Sequence, residues 1–221
     1  MAIKVPMPQL QPLKCWKIKS DKQKMPKNVT DFSSIFVKQP KPEKGKLLLA
    51  EPFMESPEFK RSVIMLTEHN EKGTMGFIIN RKLNVTPSQA IDDFPEFDDE
   101  LYYGGPVNSD QLFYLHTKPD LIEGGQEIIP GLFLGGDYTT LKNLIDIKKI
   151  TPKDIRFFVG YSGWAAGQLK KELKDNSWIV LPGGVEYVKA KFNKNLWKDI
   201  LKGLGGKYSI VADFPEDPTL N

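Results

Sequence analysis

Gly160-Tyr161-Ser162-Gly163-Trp164-Ala165-Ala166-Gly167-Gln168-Leu169-Lys170-Lys171-Glu172-Leu173, with Trp178 shortly after, is the stretch on which the fold turns. The residues before it, Ile155 to Val159, are β-branched and aromatic and predict a buried strand. The glycines and Trp164 then mark a strand-to-helix junction, with a helix expected to about Asn176. In that helix Gln168 and Glu172 stand one turn apart on one face, and Leu169 and Leu173 on another. The first N–H groups of a helix lack internal partners and can hold an anion, and Gly163 and Gly167 would permit close approach. The same Gln168 and Glu172 could equally brace neighbouring loops, and the residues alone leave both readings open.

Working outward, Gly45 to Ala50 is a short apolar run of buried-strand type, and Ser62 to Glu68 predicts a second strand. Asn70 to Gly73 predicts a turn and Thr74 to Asn80 the return strand of a hairpin. Thr86-Pro87-Ser88-Gln89 has the form of a capped helix start. Gly104-Gly105-Pro106 forces a turn between Leu101–Tyr103 and a strand over 111–117. Leu132 to Leu134 is strand-like, and Asp137 can cap a helix carrying Leu141, Leu144 and Ile145. Trp178 to Leu181 and Val185 to Val188 are expected as strands, and a last helix over 194–204 buries Leu196, Trp197, Ile200, Leu201 and Leu204. Hairpins among interspersed helices indicate an α+β fold rather than a purely parallel sheet.

The 221 residues, 40 % hydrophobic, suffice for one self-supporting domain preceded by a leader. Residues 1–44 are Pro- and Lys-rich and are expected to be weakly ordered, with Trp16 and Ile35-Phe36-Val37 able to dock; the domain is expected over 45–221. The net charge of +3 conceals a split. Residues 1–46 hold eleven Lys against three acids, a net +8, while the rest holds 20 basic against 25 acidic residues, a net −5. A mildly acidic domain is not what direct sequence-specific DNA reading requires, so such reading is not expected; any nucleic-acid contact would fall to the leader. No apolar run is long enough to span a bilayer, so no membrane partner is expected. The single Cys15 and the lack of a signal-like start favour the cytoplasm.

Familiar chemistry is hard to place. A hydrolase nucleophile elbow needs glycine two residues after its serine; after Ser162 that position is Trp164. His69, His116 and Cys15 give no metal-ligand spacing, so no metal is expected. The glycine pairs complete neither G-x-G-x-x-G nor G-x-x-x-x-G-K-[ST], so no nucleotide cofactor is expected.

Three ordered motifs carry a resemblance. His69-Asn70-Glu71-Lys72-Gly73-Thr74-Met75-Gly76-Phe77-Ile78-Ile79-Asn80-Arg81 resembles the first motif of the YqgE/AlgH family, also called UPF0301 or DUF179. Tyr103-Gly104-Gly105-Pro106-Val107, with Leu115-His116, resembles the second, and the 160–173 stretch with Trp178 the third. The ending Phe214 to Asn221 is similar to members from the Bacteroidetes. The resemblance implies an α+β fold with a bifurcated, largely antiparallel β-sheet, a small closed barrel and surrounding helices, in a cytosolic bacterial protein with no established activity; some members carry the label of transcriptional regulator. Two positions depart from the pattern: Lys82 stands where the family often has Pro, and Ser162 where it often has Ala.

Three functions compete on these grounds. The first is a non-enzymatic regulatory or adaptor protein binding a small anionic ligand or a partner protein, with His69, Asn80, Gly104, Gly105, Trp164, Gln168 and Glu172 gathered around one cleft at the mouth of the Trp164 helix. The second is a hydrolase or transferase using His69 or His116 as base and Glu172 as orienting group. The third is nucleic-acid association through the basic leader.

Overall fold

The computed structural model describes residues 40–215. The leader's order and its docking residues Trp16 and Ile35 to Val37 lie outside the described residues, as does the ending beyond Pro215. In chain order the elements are β1 (Leu47–Ala50), β2 (Val63–Asn70), β3 (Gly73–Ile78), α1 (Pro87–Ala90), β4 (Tyr102–Tyr103), β5 (Val107–His116), β6 (Gln126–Ile129), β7 (Leu132–Leu134), α2 (Tyr138–Asp146), β8 (Ile155–Ala165), α3 (Gln168–Lys174), β9 (Trp178–Leu181), α4 (Glu186–Lys189), α5 (Leu196–Gly203) and α6 (Gly206–Val211).

The strands form one sheet in the order β6-β7-β5-β8-β3-β2-β1-β9, antiparallel throughout, and β4 lies parallel on β8 beside this path. The sheet forks at β8. Its first part, Ile155 to Tyr161, pairs with β5; Phe158 and Val159 also pair with β4; its last part, Ser162 to Ala165, pairs with β3. The fork explains why β8 runs eleven residues through two glycines that read locally as breakers. At the node the Gly104 N–H donates to the Val159 carbonyl, and the Gly104 carbonyl accepts from the Ile78 N–H and the Ser162 hydroxyl. A Cβ on Gly104 would collide with the Gly160 carbonyl, and one on Gly160, whose φ is +66, with the Gly105 carbonyl. Only glycines let three backbones cross this closely.

The expected closed barrel is corrected. Residues of β1, β2, β3, β5, β6, β7, β8 and β9 share one core, so the sheet curves around it. Among the described residues no ladder joins the end strands β6 and β9. The segment before β1 reaches β6 only through side chains, with Lys44 Nζ donating to the Glu127 carbonyl and Ile129 packed against Gly45, so the sheet stays open. Two further clusters lie outside. One holds Phe94, Phe97, Tyr114 and Phe157 with α1 and α2; the other holds Ile64, Leu66, Trp164 and Trp178 with α3. Because both faces of β1 are covered, all four of its residues are buried, hence its continuous apolar reading.

Several local expectations hold. The capping box of Thr86 and Gln89 opens α1, and the Asp137 carboxylate accepts the Thr140 N–H at the start of α2. The strand expected at Val185 to Val188 is the helix α4 instead, in which Val188 is buried and Glu186 is exposed.

Candidate functional site

The seven residues expected around one cleft fall into four places. Trp164 is the first correction: it is a strand residue, buried at 5 % exposure, and α3 begins four residues later behind Gly167 in a left-handed conformation (φ +75). No helix opens at Trp164. Its indole N–H donates to Glu172 Oε2 at 2.9 Å, and the Trp178 indole N–H donates to the same oxygen at 2.8 Å. Gln168 Nε2 donates to Glu172 Oε1 at 2.9 Å, while Gln168 Oε1 accepts the Ala165 N–H at 3.0 Å. The two indoles meet edge to face at 5.7 Å, and Phe59 packs on both. Trp164, Gln168 and Glu172 are thus bonded to one another and to Trp178, and they lock the first turn of α3 onto β8 and β9.

Gly104 and Gly105 are buried in the fork, packed on residues 160–162. His69 is exposed near the end of β2, its Nδ1 2.7 Å from Thr74 Oγ1, and Thr74 pairs with Trp164 in the next strand. Asn80 lies past the opposite end of β3, six residues and about 20 Å along the strand from Thr74. Its Oδ1 accepts the Val63 N–H at 2.9 Å and its Nδ2 donates to the Arg61 carbonyl at 3.0 Å. His69, Asn80 and Gln168 do not line one pocket.

His116 is fully buried. Its Nδ1 accepts the Lys118 N–H at 3.2 Å, which assigns the proton to Nε2, 2.9 Å from the Gly135 carbonyl. Burial lowers its pKa, with the Gly135 bond partly opposing, so the ring is held neutral. It pairs with Ile155, nine residues along β8 from Trp164, which places the two histidines about 30 Å apart along the strand. Ser162 is fully buried, its hydroxyl committed to the Gly104 carbonyl. Among the described residues no group of three or more His, Cys, Asp or Glu is placed to hold a metal, and no helix is long and apolar enough to cross a membrane.

A site that the sequence reading missed lies beside Asn80. A recess of about 400 Å³ touches Trp164 at the hairpin end, but a smaller one of about 290 Å³ has the more pointed chemistry. The residues that line it are Lys60, Arg61, Arg81, Lys194 and Lys198 with Asn80, Asn195 and Trp197. Arg81 is held by carbonyls: Nη1 donates to Glu58 at 2.7 Å and Nη2 to Lys60 at 2.6 Å. The Arg61 guanidinium sits 5.1 Å over the Trp197 ring and donates to the Phe214 carbonyl at 2.6 Å. Trp197 is itself fixed by its N–H on the Ala50 carbonyl at 2.8 Å. Lys198 reaches Asp213 at 2.7 Å, outside the lining. The cations come from three separated stretches of an acidic domain, Lys60-Arg61, Arg81 and the lysine-rich stretch 189–198, which only the fold brings together.

The fold defines a class: an α/β protein on a large antiparallel sheet, forked at a glycine node. The chain belongs to the AlgH-like family, whose DUF179 model matches residues 47–209. It is 42 % identical over 177 residues to a UPF0301 protein of Chlorobaculum parvum, covering 80 % of this chain and 95 % of that one. It is also 42 % identical over 181 residues to a UPF0301 protein of Bacteroides thetaiotaomicron, covering 81 % and 92 %. The solution structure of the AlgH protein from Pseudomonas aeruginosa aligns with a TM-score of 0.60 at 28 % identity, over 82 % of this chain and all of that one. The crystal structure of a Corynebacterium diphtheriae protein aligns at 0.65 and 26 %, over 80 % and 95 %.

Proposed function

We propose that this chain is a regulatory or adaptor module that binds a small anionic ligand, and that the ligand sits in the basic recess beside Asn80. One observation carries the reading: five cationic residues, Lys60, Arg61, Arg81, Lys194 and Lys198, line a single recess of about 290 Å³. The summed positive potential of such a cluster draws polyvalent anions toward it. The donors are partly preorganised, since carbonyl bonds hold Arg81 and the Trp197 ring supports Arg61. A hydrolytic role has less support, because Glu172 is bonded to two indoles and the two histidines stand far apart.

The test is thermal unfolding in inorganic phosphate, sulfate or citrate, each against chloride at matched ionic strength. A polyvalent anion should raise Tm in a saturable way, following mass action on the native state. The double variant Lys194→Gln/Lys198→Gln, at surface positions, should keep the ligand-free Tm to within about 0.5 kcal/mol of stability and lose the rise. An equal rise in that variant places binding elsewhere, and no rise with any anion removes the proposal.

A further inference from the structure

The chain beyond α6 runs along the rim of the basic recess. Val211 and Ala212 are buried there, and Ala212 belongs to the same core cluster as Trp197, which lines the recess. Three contacts then carry the chain along this rim. Asp213 Oδ1 meets Lys198 Nζ at 2.7 Å and Lys202 Nζ at 2.9 Å. The Phe214 carbonyl accepts from Arg61 Nη2 at 2.6 Å, and Pro215 lines an adjoining concavity together with Lys60 and Arg61. Lys60, Arg61 and Lys198 line the basic recess as well. The next two residues in the chain are Glu216 and Asp217, followed by Pro218. They stand at most about 11 Å of extended chain beyond Phe214, so both carboxylates can reach the recess from the point where Arg61 holds that carbonyl. Lys60, Arg61 and Arg81 each make a further interaction, so the cations of the recess are engaged rather than idle.

We infer that the resident occupant of the basic recess is this chain's own segment Glu216-Asp217, and that an anionic ligand enters by displacing it. Charge complementarity gives the direction: with Asp213 the stretch 213–217 carries three carboxylates in five residues, and five cationic residues line the recess. Arg61, Arg81 and Lys198 keep the bonds already described, and the two carboxylates sit in the combined field of the cluster. The contacts of Asp213 and Phe214 fix where the segment starts, so its docking is intramolecular, at an effective concentration on the order of millimolar. Pro215 and Pro218 flank the two acids and fix their own φ, which lowers the entropy lost on docking. This inference rests on the anion-binding reading of the same recess and adds its regulation, since a ligand has to outcompete the segment.

The test uses the full chain, labelled with nitrogen-15, with inorganic phosphate as the probe. Docking requires backbone order parameters above about 0.6 for the Glu216 and Asp217 amides in the ligand-free protein, falling as sodium chloride screens the recess. Glu216→Gln/Asp217→Asn should release the segment and shift the Lys194 amide and Trp197 indole resonances. The Lys72 amide, in the turn at the far end of the β2–β3 hairpin, should not move. Each exposed ion pair shifts an equilibrium by about 1.4- to 5-fold, so the double variant should bind phosphate about three- to tenfold more tightly than the parent. By linkage, saturating phosphate should lower the order parameters of Glu216 and Asp217 in the parent. Order parameters below about 0.6 in the ligand-free parent overturn the inference, and phosphate binding in the same sample leaves the anion site standing. An ordered segment with equal phosphate affinity in parent and variant seats the segment elsewhere and overturns it too. If phosphate binds neither protein, the anion reading falls and its regulation with it.

Discussion

Replacing Glu172 by alanine distinguishes a ligand-binding carboxylate from a structural one. Glu172 Oε2 accepts both the Trp164 and Trp178 indole N–H groups, and these tryptophans are 5 % and 1 % exposed. In Glu172→Ala both donors lose their acceptor in a site where water has little access. Each stranded donor costs about 1–3 kcal/mol, and the two together about 4 kcal/mol. The Gln168 amide adds little, because it is exposed and finds water. For a chain of this size about 4 kcal/mol corresponds to a Tm fall of about 8–16 °C. Glu172→Gln keeps an acceptor and loses the charge, so its cost should be about 1–2 kcal/mol. Urea unfolding followed by tryptophan emission reads both, and the alanine variant should also show red-shifted native emission as water reaches the indoles. Phosphate affinity should not change, since Glu172 does not line the basic recess. A Glu172→Ala protein within about 0.5 kcal/mol of the parent would refute the indole-clamp account. One that is fully stable but has lost its anion affinity would return Glu172 to the ligand site.

Gly104→Ala should cost about 3 kcal/mol or more by urea unfolding, because its Cβ would meet the Gly160 carbonyl and Phe77 Cδ1, and the carbonyl is part of the fork. Gly203→Ala is the control: a Cβ there meets nothing within 4 Å in α5, so it should be neutral or stabilising by up to about 1 kcal/mol. Asn80→Ala should cost about 2 kcal/mol by stranding the buried Val63 N–H, without removing a cation from the recess. Stability should also fall as pH drops. Burial sets the pKa of folded His116 below its unfolded value of about 6.5, so the unfolded chain takes a proton that the native ring refuses. That contribution is complete above pH of about 6.5 and is lost below it; unfolding free energies that stay flat from about pH 7.5 to 5.5 would contradict it.

Much of the architecture is written locally. The apolar run of β1, the hairpin around Asn70–Gly73, the Thr86 box, the Asp137 cap and the apolar stripe of α5 each follow from neighbours within a few residues. What escapes local reading depends on distant backbone. Gly160 and Gly163 look like the end of a strand, yet β8 continues through them because β3, β4 and the Gly104 segment all press on it there. Val185 and Val188 favour a strand by residue type, yet their three-residue spacing turns the buried Val188 inward from a helix. β6 begins Gln126-Glu127, too polar to register as a strand without its partner β7. Of the basic recess only Asn80 was singled out in advance as a site residue, because its cations come from three stretches that only the fold brings together.

The three glycine-rich motifs do converge, but inside the protein rather than around a cleft. At a single node the Gly104 carbonyl of the second motif accepts the Ile78 N–H of the first and the Ser162 hydroxyl of the third, and Gly104 packs on the Gly160 carbonyl. Such a node has no room for a ligand, since even a methyl group on Gly104 collides there. The motifs that make the family recognisable therefore specify how its sheet forks. Lys60, Arg61, Lys194 and Lys198 lie outside those motifs, and only Asn80 and Arg81, at the end of the first, belong to both the signature and the recess. A chain can thus carry the full signature and fold alike while its recess holds different charges. The signature accordingly bears on the fork, and the charges of this chain's recess come largely from residues outside it.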